Sequence, residues 1–403
     1  MNVKLFVGAG LPAPHPYNPR VPARVEKLER QFAAWLGVPH AIATGSGRSA
    51  LFLALAALDA EPGEVLVPEL VCSQVPEAVR RAGHRPVIFP VREDLVCLPS
   101  DAVRAITPET RAVILVHYYG RVQPHTQVLV SIFRQRGLPV IEDCALALDA
   151  RNADGANAGR AGDAAVFSFT KSAWCYGGGI VAARSNAWAD RMRDLRTGHF
   201  RHAPGLLAAY GCLRRADFAA NRPAWSTFAG RAGPFLEKIL GGVLNSGEEN
   251  SPRPESTSFY DSLSFDLQMS PRCARRALRL HASLPEAQKT RLKIRGELSE
   301  QLRGHTSLLV RADEATGDSG AFLLLQSSAG RAAEWRDLAA REGVTLRLTW
   351  PAFQSPEAGT NASRLDWIAR HLLVLEIHER LTAREVARIA TVISRLAETD
   401  SEL

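Results

Sequence analysis

Lysine is scarce: only six of the 49 basic residues are lysines, at positions 4, 27, 171, 238, 289 and 293, and the other 43 are arginines. Arginine recognises phosphate and carboxylate as a planar fork, so the net charge of +7 points to anionic small molecules. The arginines are spread along the chain, with no basic tail and no helix-turn-helix or zinc-finger spacing, which argues against nucleic acid as the partner. Paired cysteines are also missing. The six cysteines, at 72, 97, 144, 175, 212 and 273, form no CxxC, which argues against a zinc site or a secreted disulfide framework and favours a reducing compartment. No HExxH motif or Cys/His cluster suggests a metal. The longest apolar run, residues 50–58, is far short of the ~20 residues that cross a bilayer. The opening MNVKLFVGAGLPAPHP is interrupted by prolines and makes a poor signal peptide, so a cytoplasmic location is expected. Internal repeats and low-complexity tracts are absent as well.

What is present is a chain of 403 residues, 46% hydrophobic and 23% charged, enough for two or three folding units at roughly 150 residues each. Between residues 40 and 183, short apolar runs alternate with helical patterns. Strands are expected at 41–44, 64–67, 86–89, 112–117, 139–142, 164–169 and 179–183, with helices notably at 49–60, 73–82 and 126–136. Several of these strands are continuously apolar, as strands buried on both faces of a parallel sheet are, so the fold class is α/β with a large, mostly parallel seven-stranded sheet. The rhythm stops near residue 200, and 205–257, with helical pieces at 206–213 and 234–244, reads as an insertion or flap. A long helix over 271–302, strands at 307–311, 321–326 and 344–348, and helices at 332–342 and 383–397 make a smaller α+β domain. The expected division is an N-terminal segment, 1–39, whose helix at 25–36 packs with the small domain, a large domain, 40–270, and the small domain, 271–403.

Three segments carry chemistry. Thr44-Gly45-Ser46-Gly47-Arg48 is a glycine-rich turn between a buried strand and a helix, where free amides and the helix dipole suit a phosphate; an ordinary strand-to-helix turn is the alternative. Glu142 and Asp143 end a buried strand, where α/β folds place ligand-binding groups. Ser168 and Lys171 follow another buried strand, just ahead of Gly177-Gly178-Gly179. His117, which also ends a strand, reads as a satisfied core histidine, the alternative being a place beside a cofactor. A phosphate turn, then an acid, then a lysine are the parts that pyridoxal phosphate needs, and their order resembles the fold-type-I enzymes that use it.

Within that group the chain resembles the DegT/StrS-type sugar aminotransferases. The likeness is carried by EKLERQFAAWLGV at 26–38, SGxxAL at 46–51, GEVLVP at 63–68, VILVHYYG at 113–120, VIEDCA at 140–145, GDAAVFSF at 162–169 and GGG-I at 177–180, and it resumes at 267–286 and 372–389. The resemblance implies that Lys171 links covalently to the cofactor and shuttles protons. It implies that Asp143 keeps the ring nitrogen protonated, and that Ser168 with the amides around Gly47 and Arg48 binds the phosphate. Cys72 stands where the family often presents a stacking aromatic ring. Arg48 replaces the usual threonine of an SGT, Leu146 the usual glutamine or histidine near the phenolic oxygen, and Asp266 an asparagine that reaches the neighbouring subunit's phosphate; Arg48 and Asp266 would then compensate one another. The implied function is transfer of an amino group from a donor such as glutamate to a keto group, of a nucleotide-linked sugar, by a homodimer. Alternatives are another pyridoxal-phosphate reaction, a non-sugar acceptor, or a non-catalytic regulatory protein.

Overall fold

The computed structural model describes residues 21–152, 154–172, 177–202, 265–305, 308–311, 317–350 and 362–401. The 205–257 segment expected as an insertion or flap lies outside them. The large sheet contains β1 (His40–Thr44), β2 (Glu64–Pro68), β3 (Arg85–Phe89), β4 (Thr110–Val116), β5 (Val140–Asp143), β6 (Ala164–Ser168), β7 (Gly179–Ala183), β8 (Arg201–His202) and β9 (Leu267–Gln268). Their spatial order is β3-β2-β4-β5-β6-β7-β1-β9-β8. Neighbours from β3 through to β6 run parallel, and β7 is antiparallel to both β6 and β1. The seven expected strands are all there, but the sheet has nine among the described residues. The two additions are each two residues long, too short to show the alternation by which a strand is recognised. They exist because β9 docks on β1 through Thr44 and Gln268, and β8 then pairs with β9.

The strands β2, β4 and β5 are buried throughout the apolar stretches Val65–Val67, Val113–Val116 and Val140–Ile141, because helices cover the sheet. One core joins these strands to α2 (Gly47–Ala56), α3 (Gln74–Arg81), α4 (Pro99–Arg104), α5 (Thr126–Gln135) and α7 (Asn186–His199). The opposite core gathers α1 (Ala23–Leu36), Phe167 and Phe169, and the first half of α8 (Pro271–Gln301). In α1 the buried residues Val25, Leu28, Phe32 and Leu36 recur at helical spacing, and Gly37, at φ 73°, ends the helix by donating to Ala33 O at 2.9 Å. This helix packs on β1 and on α8, the helix that opens the expected 271–403 domain.

The small sheet has the order β10 (Leu308–Arg311), β11 (Phe322–Ser327), β13 (Leu372–Glu376), β12 (Leu346–Leu348), all antiparallel. Its own core is centred on the fully buried Trp335 of α9 (Ala332–Arg341) and on α11 (Ala383–Ser401). The central β13 and the preceding α10 (Ala362–His371) were not among the expected elements; they follow each other without a turn residue, His371 to Leu372, so no breaker marks the change of period.

Candidate active site

The glycine-rich turn, the acid and the lysine meet at the carboxyl edge of the parallel strands. Ser46 caps α2: its Oγ accepts the Ser49 N–H at 3.1 Å and lies 2.8 Å from Ser49 Oγ. The amides of Gly47 and Arg48 belong to the first turn, where the helix offers them no acceptor. Gly45 is held from two sides, its N–H donating to Leu267 O at 2.6 Å and its carbonyl accepting the Gly178 N–H at 2.6 Å. Gly179 pairs with Thr44 on one side and Ser168 on the other. A Cβ on Gly179 would lie 2.2 Å from Ser46 O and 2.5 Å from Gly47 N, so only glycine lets the turn lie on this strand. A Cβ on Gly47 would lie 2.9 Å from Ser168 Cβ. The turn and Ser168 are therefore direct neighbours, and Ser168 Oγ is 2.8 Å from Thr170 Oγ1.

Asp143 pairs with Val166, and since side chains alternate along a strand, it shares a sheet face with Ser168. Its carboxylate is buried and Oδ1 accepts the Ala145 N–H at 3.0 Å; among the described residues Oδ2 receives no hydrogen bond. Burial pushes the Asp143 carboxyl above its ordinary value, an effect that the Ala145 amide and Lys171 partly offset. Lys171 lies in α6 (Phe169–Ser172), the single turn that follows β6, and is exposed. An exposed lysine, a buried acid with one oxygen that accepts no hydrogen bond from the described residues, and a turn too tight for any Cβ fit the lysine, ring-nitrogen and phosphate ends of pyridoxal phosphate.

The remaining sequence candidates stand nearby. Cys72 is half-buried beyond the end of β2, beside Leu70, whose carbonyl accepts the Tyr118 hydroxyl at 2.6 Å. Leu146 is buried in the main core and brings no hydrogen-bonding side chain. Arg48 is anchored on α3, with Nη1 donating to Gln74 Oε1 at 2.9 Å and the guanidinium 5.5 Å from the Phe265 ring. Asp266 is buried and held bidentately by Arg201, whose Nε and Nη2 donate at 2.8 and 3.0 Å. Arg201 is a partner 65 positions away that no local motif announces.

His117 is a core histidine with both nitrogens engaged, Nε2 at 2.7 Å from Glu142 Oε2 and Nδ1 accepting the Gln123 N–H at 3.1 Å. With Cys144 these two side chains form a buried trio close enough to hold a metal ion. The ring nitrogens and both carboxylate oxygens are already committed to hydrogen bonds, so a metal would have to break them. Sequence reasoning also missed Tyr119, in a left-handed conformation at φ 49°, an uncommon state for a bulky residue. Its hydroxyl accepts the Trp350 N–H at 3.3 Å and ties this edge to the small domain.

A dTDP-3-amino-3,4,6-trideoxy-alpha-D-glucose transaminase of Micromonospora megalomicea is 36% identical over 177 residues, 43% of this chain and 47% of that protein. The GDP-perosamine synthase of Caulobacter vibrioides is 37% identical over 178 residues, with 43% and 47% covered. The matched stretch thus spans about half the length of these curated relatives. Solved structures share the fold along nearly the whole chain. The aminotransferase TlmJ from Streptoalloteichus hindustanus aligns with a TM-score of 0.71 at 19% identity, covering 95% of this chain and 93% of that one. DesV of S. venezuelae, solved with a ketimine intermediate, aligns at 0.70 and 24% identity over 94% and 90%. No helix among the described residues is long and apolar enough to cross a membrane. The model of the DegT/DnrJ/EryC1/StrS aminotransferase family matches residues 21–215, the stretch that holds the turn, the acid and the lysine.

Proposed function

We propose that the protein is a pyridoxal-phosphate-dependent aminotransferase that moves an amino group from an amino acid donor, glutamate, to the keto group of a nucleotide-linked sugar. The observation that carries this reading is the convergence of Lys171, Asp143 and the Gly47–Ser168 contact on one strand edge. The names of the relatives, a dTDP-sugar transaminase and a GDP-perosamine synthase, support the substrate class. When bound, pyridoxal phosphate supplies an electron sink for the substrate carbon that loses its proton. In this reading the amides of Gly47 and Arg48 and the Ser168 hydroxyl bind the phosphate. Asp143 holds the proton of the ring nitrogen, and the Arg48 side chain stays on Gln74. Lys171 would hold the cofactor, and its exposed amine would have the freedom to take the proton from the donor's α-carbon and deliver it again. Cys72 offers a sulfur in place of a stacking ring, and Leu146 a dry apolar wall in place of a hydrogen bond.

A non-sugar keto acceptor is the second reading. It is favoured by Leu146 and by a relative, 35% identical over 174 residues, that is an L-glutamine:2-deoxy-scyllo-inosose aminotransferase. We further infer a homodimer, as the resemblance implies, working in the cytoplasm, as the lack of paired cysteines favours. Borohydride reduction of protein incubated with pyridoxal phosphate, followed by peptide mapping, is expected to fix the cofactor on Lys171. Incubation with glutamate is expected to convert the cofactor to its amine form, and a panel of keto nucleotide sugars and keto cyclitols to convert it back. Protein that stays colourless, with no modified Lys171, would refute the reading and favour a non-catalytic role.

A further inference from the structure

Behind Asp143 stands a second buried acid that the proposed reaction does not use. Adjacent residues on a strand face opposite ways, so Glu142 lies on the reverse of β5 and meets His117 at the end of β4, both side chains fully buried. The Gln123 N–H, which can only donate, points at His117 Nδ1 from 3.1 Å. The ring proton therefore resides on Nε2, and a neutral imidazole donates to Glu142 Oε2 at 2.7 Å. Oε2 also accepts the Gly159 N–H at 3.1 Å, and Oε1 the Gly162 N–H at 2.5 Å. Burial alone would raise the Glu142 pKa, and the His117 bond and the two glycine amides oppose that rise.

Glu142 thereby joins the end of β4, its own strand β5, and the loop that enters β6. The two glycines are required there. A Cβ on Gly159 would lie 2.5 Å from Phe167 Cζ, and one on Gly162 would lie 2.9 Å from Val140 O. The main chain repeats the tie on the β4 side, where the His117 N–H donates to Asp143 O at 3.0 Å. The strands so joined carry Asp143 and Ser168 on their other face.

We propose that Glu142, locked by His117, is a positioning residue: it fixes β5 against the loop entering β6, and so sets where Asp143 and Ser168 stand relative to each other as the ring-side and phosphate-side anchors of the cofactor. This rests on the pyridoxal-phosphate reading of the site. Glu142→Gln keeps the volume and presents an amide donor to Gly162 or to the pair His117 and Gly159, whichever way it turns, so at least one of the three bonds is lost.

Apoprotein is titrated with pyridoxal phosphate, and Kd, the visible circular dichroism of the bound cofactor and the thermal unfolding of the apo form are read for the natural protein and for Glu142→Gln. Loss of one hydrogen bond to a buried charge is expected to raise Kd about tenfold and to weaken the dichroic band at saturation, because the cofactor is held less uniformly. His117→Gln, which retains a donor for Glu142, is expected to bind more tightly than His117→Ala. Folded Glu142→Gln with natural Kd and an unchanged band would overturn the inference and leave the cofactor reading intact. A natural protein that takes up no pyridoxal phosphate would overturn both. If Glu142→Gln does not fold, equal Kd values for the two His117 variants overturn the inference.

Discussion

Gly47→Ala tests the phosphate turn with a single methyl group. Gly47 is the first residue of α2 and is not in the left-handed region, so alanine meets no torsional strain and gains about 0.5–1 kcal/mol in helix preference. Against that gain stands the methyl's contact with Ser168, 2.9 Å from Cβ and 3.3 Å from Oγ, where carbon atoms prefer about 3.5–4.0 Å. Ser168 cannot retreat easily, because its strand is buried and pairs with β5 and β7. Overpacking of this kind costs about 1–3 kcal/mol, so the net expectation is a loss of about 1 kcal/mol, read from the urea midpoint of the apoprotein. Ser168 and the turn are pushed apart, and pyridoxal phosphate should bind about tenfold more weakly, as loss of one charge-assisted hydrogen bond implies. Adding Ser168→Gly removes the colliding carbon, and the double-mutant cycle should show a favourable stability coupling of about 1 kcal/mol without recovery of cofactor affinity. Gly47→Ala with natural stability and natural affinity, or a cycle with no coupling, would refute the contact on which the phosphate site is built.

Other expectations are independent of that contact. Lys171→Ala should abolish borohydride fixation while leaving the urea midpoint within about 0.5 kcal/mol, since the side chain is exposed. Asp143→Asn should lower transaminase turnover about a hundredfold, the scale seen when one preorganised electrostatic partner is removed. Its apoprotein should behave oppositely with respect to stability. The Asp143 pKa is raised in the fold, so the folded chain holds this proton more tightly than the unfolded one, and the residue costs stability as pH rises from the ordinary aspartate value through the raised one. Urea midpoints should therefore show Asp143→Asn gaining on the natural apoprotein between acid and neutral pH; parallel pH curves would contradict this. Asp149→Ala should cost about 3 kcal/mol in the same assay, the lower end for breaking a buried pair. Its partner Arg291 is 3% exposed but keeps a hydrogen bond to Ser319 O at 3.2 Å and a longer approach to Glu379 at 3.7 Å.

The parts of the fold that were legible are those whose burial leaves a local mark. Apart from the edge strand β3, which is only partly buried, the long strands of the large sheet carry buried runs such as Val65-Leu66-Val67 and Val113-Ile114-Leu115. The candidate site residues stood out for a related reason, since Asp143, Ser168 and Lys171 interrupt or follow apolar runs where a polar residue has no structural excuse. What stayed hidden is whatever depends on register across the sheet. Arg201 is one more arginine among 43 until the pairing of β8 with β9 brings it to Asp266. The partnership of His117 and Glu142 lay closer to reach. Both end neighbouring strands, and the pairing of Leu115 with Glu142 puts side chains two residues apart on one face, where an imidazole and a carboxylate must meet. The alternation that puts Asp143 on the face of Ser168 also obliges its neighbour to face the core, and a glutamate there persists only if the fold supplies donors for it. His117, Gly159 and Gly162 are those donors, so the identity of the residue behind the acid follows from the same strand geometry as the acid itself.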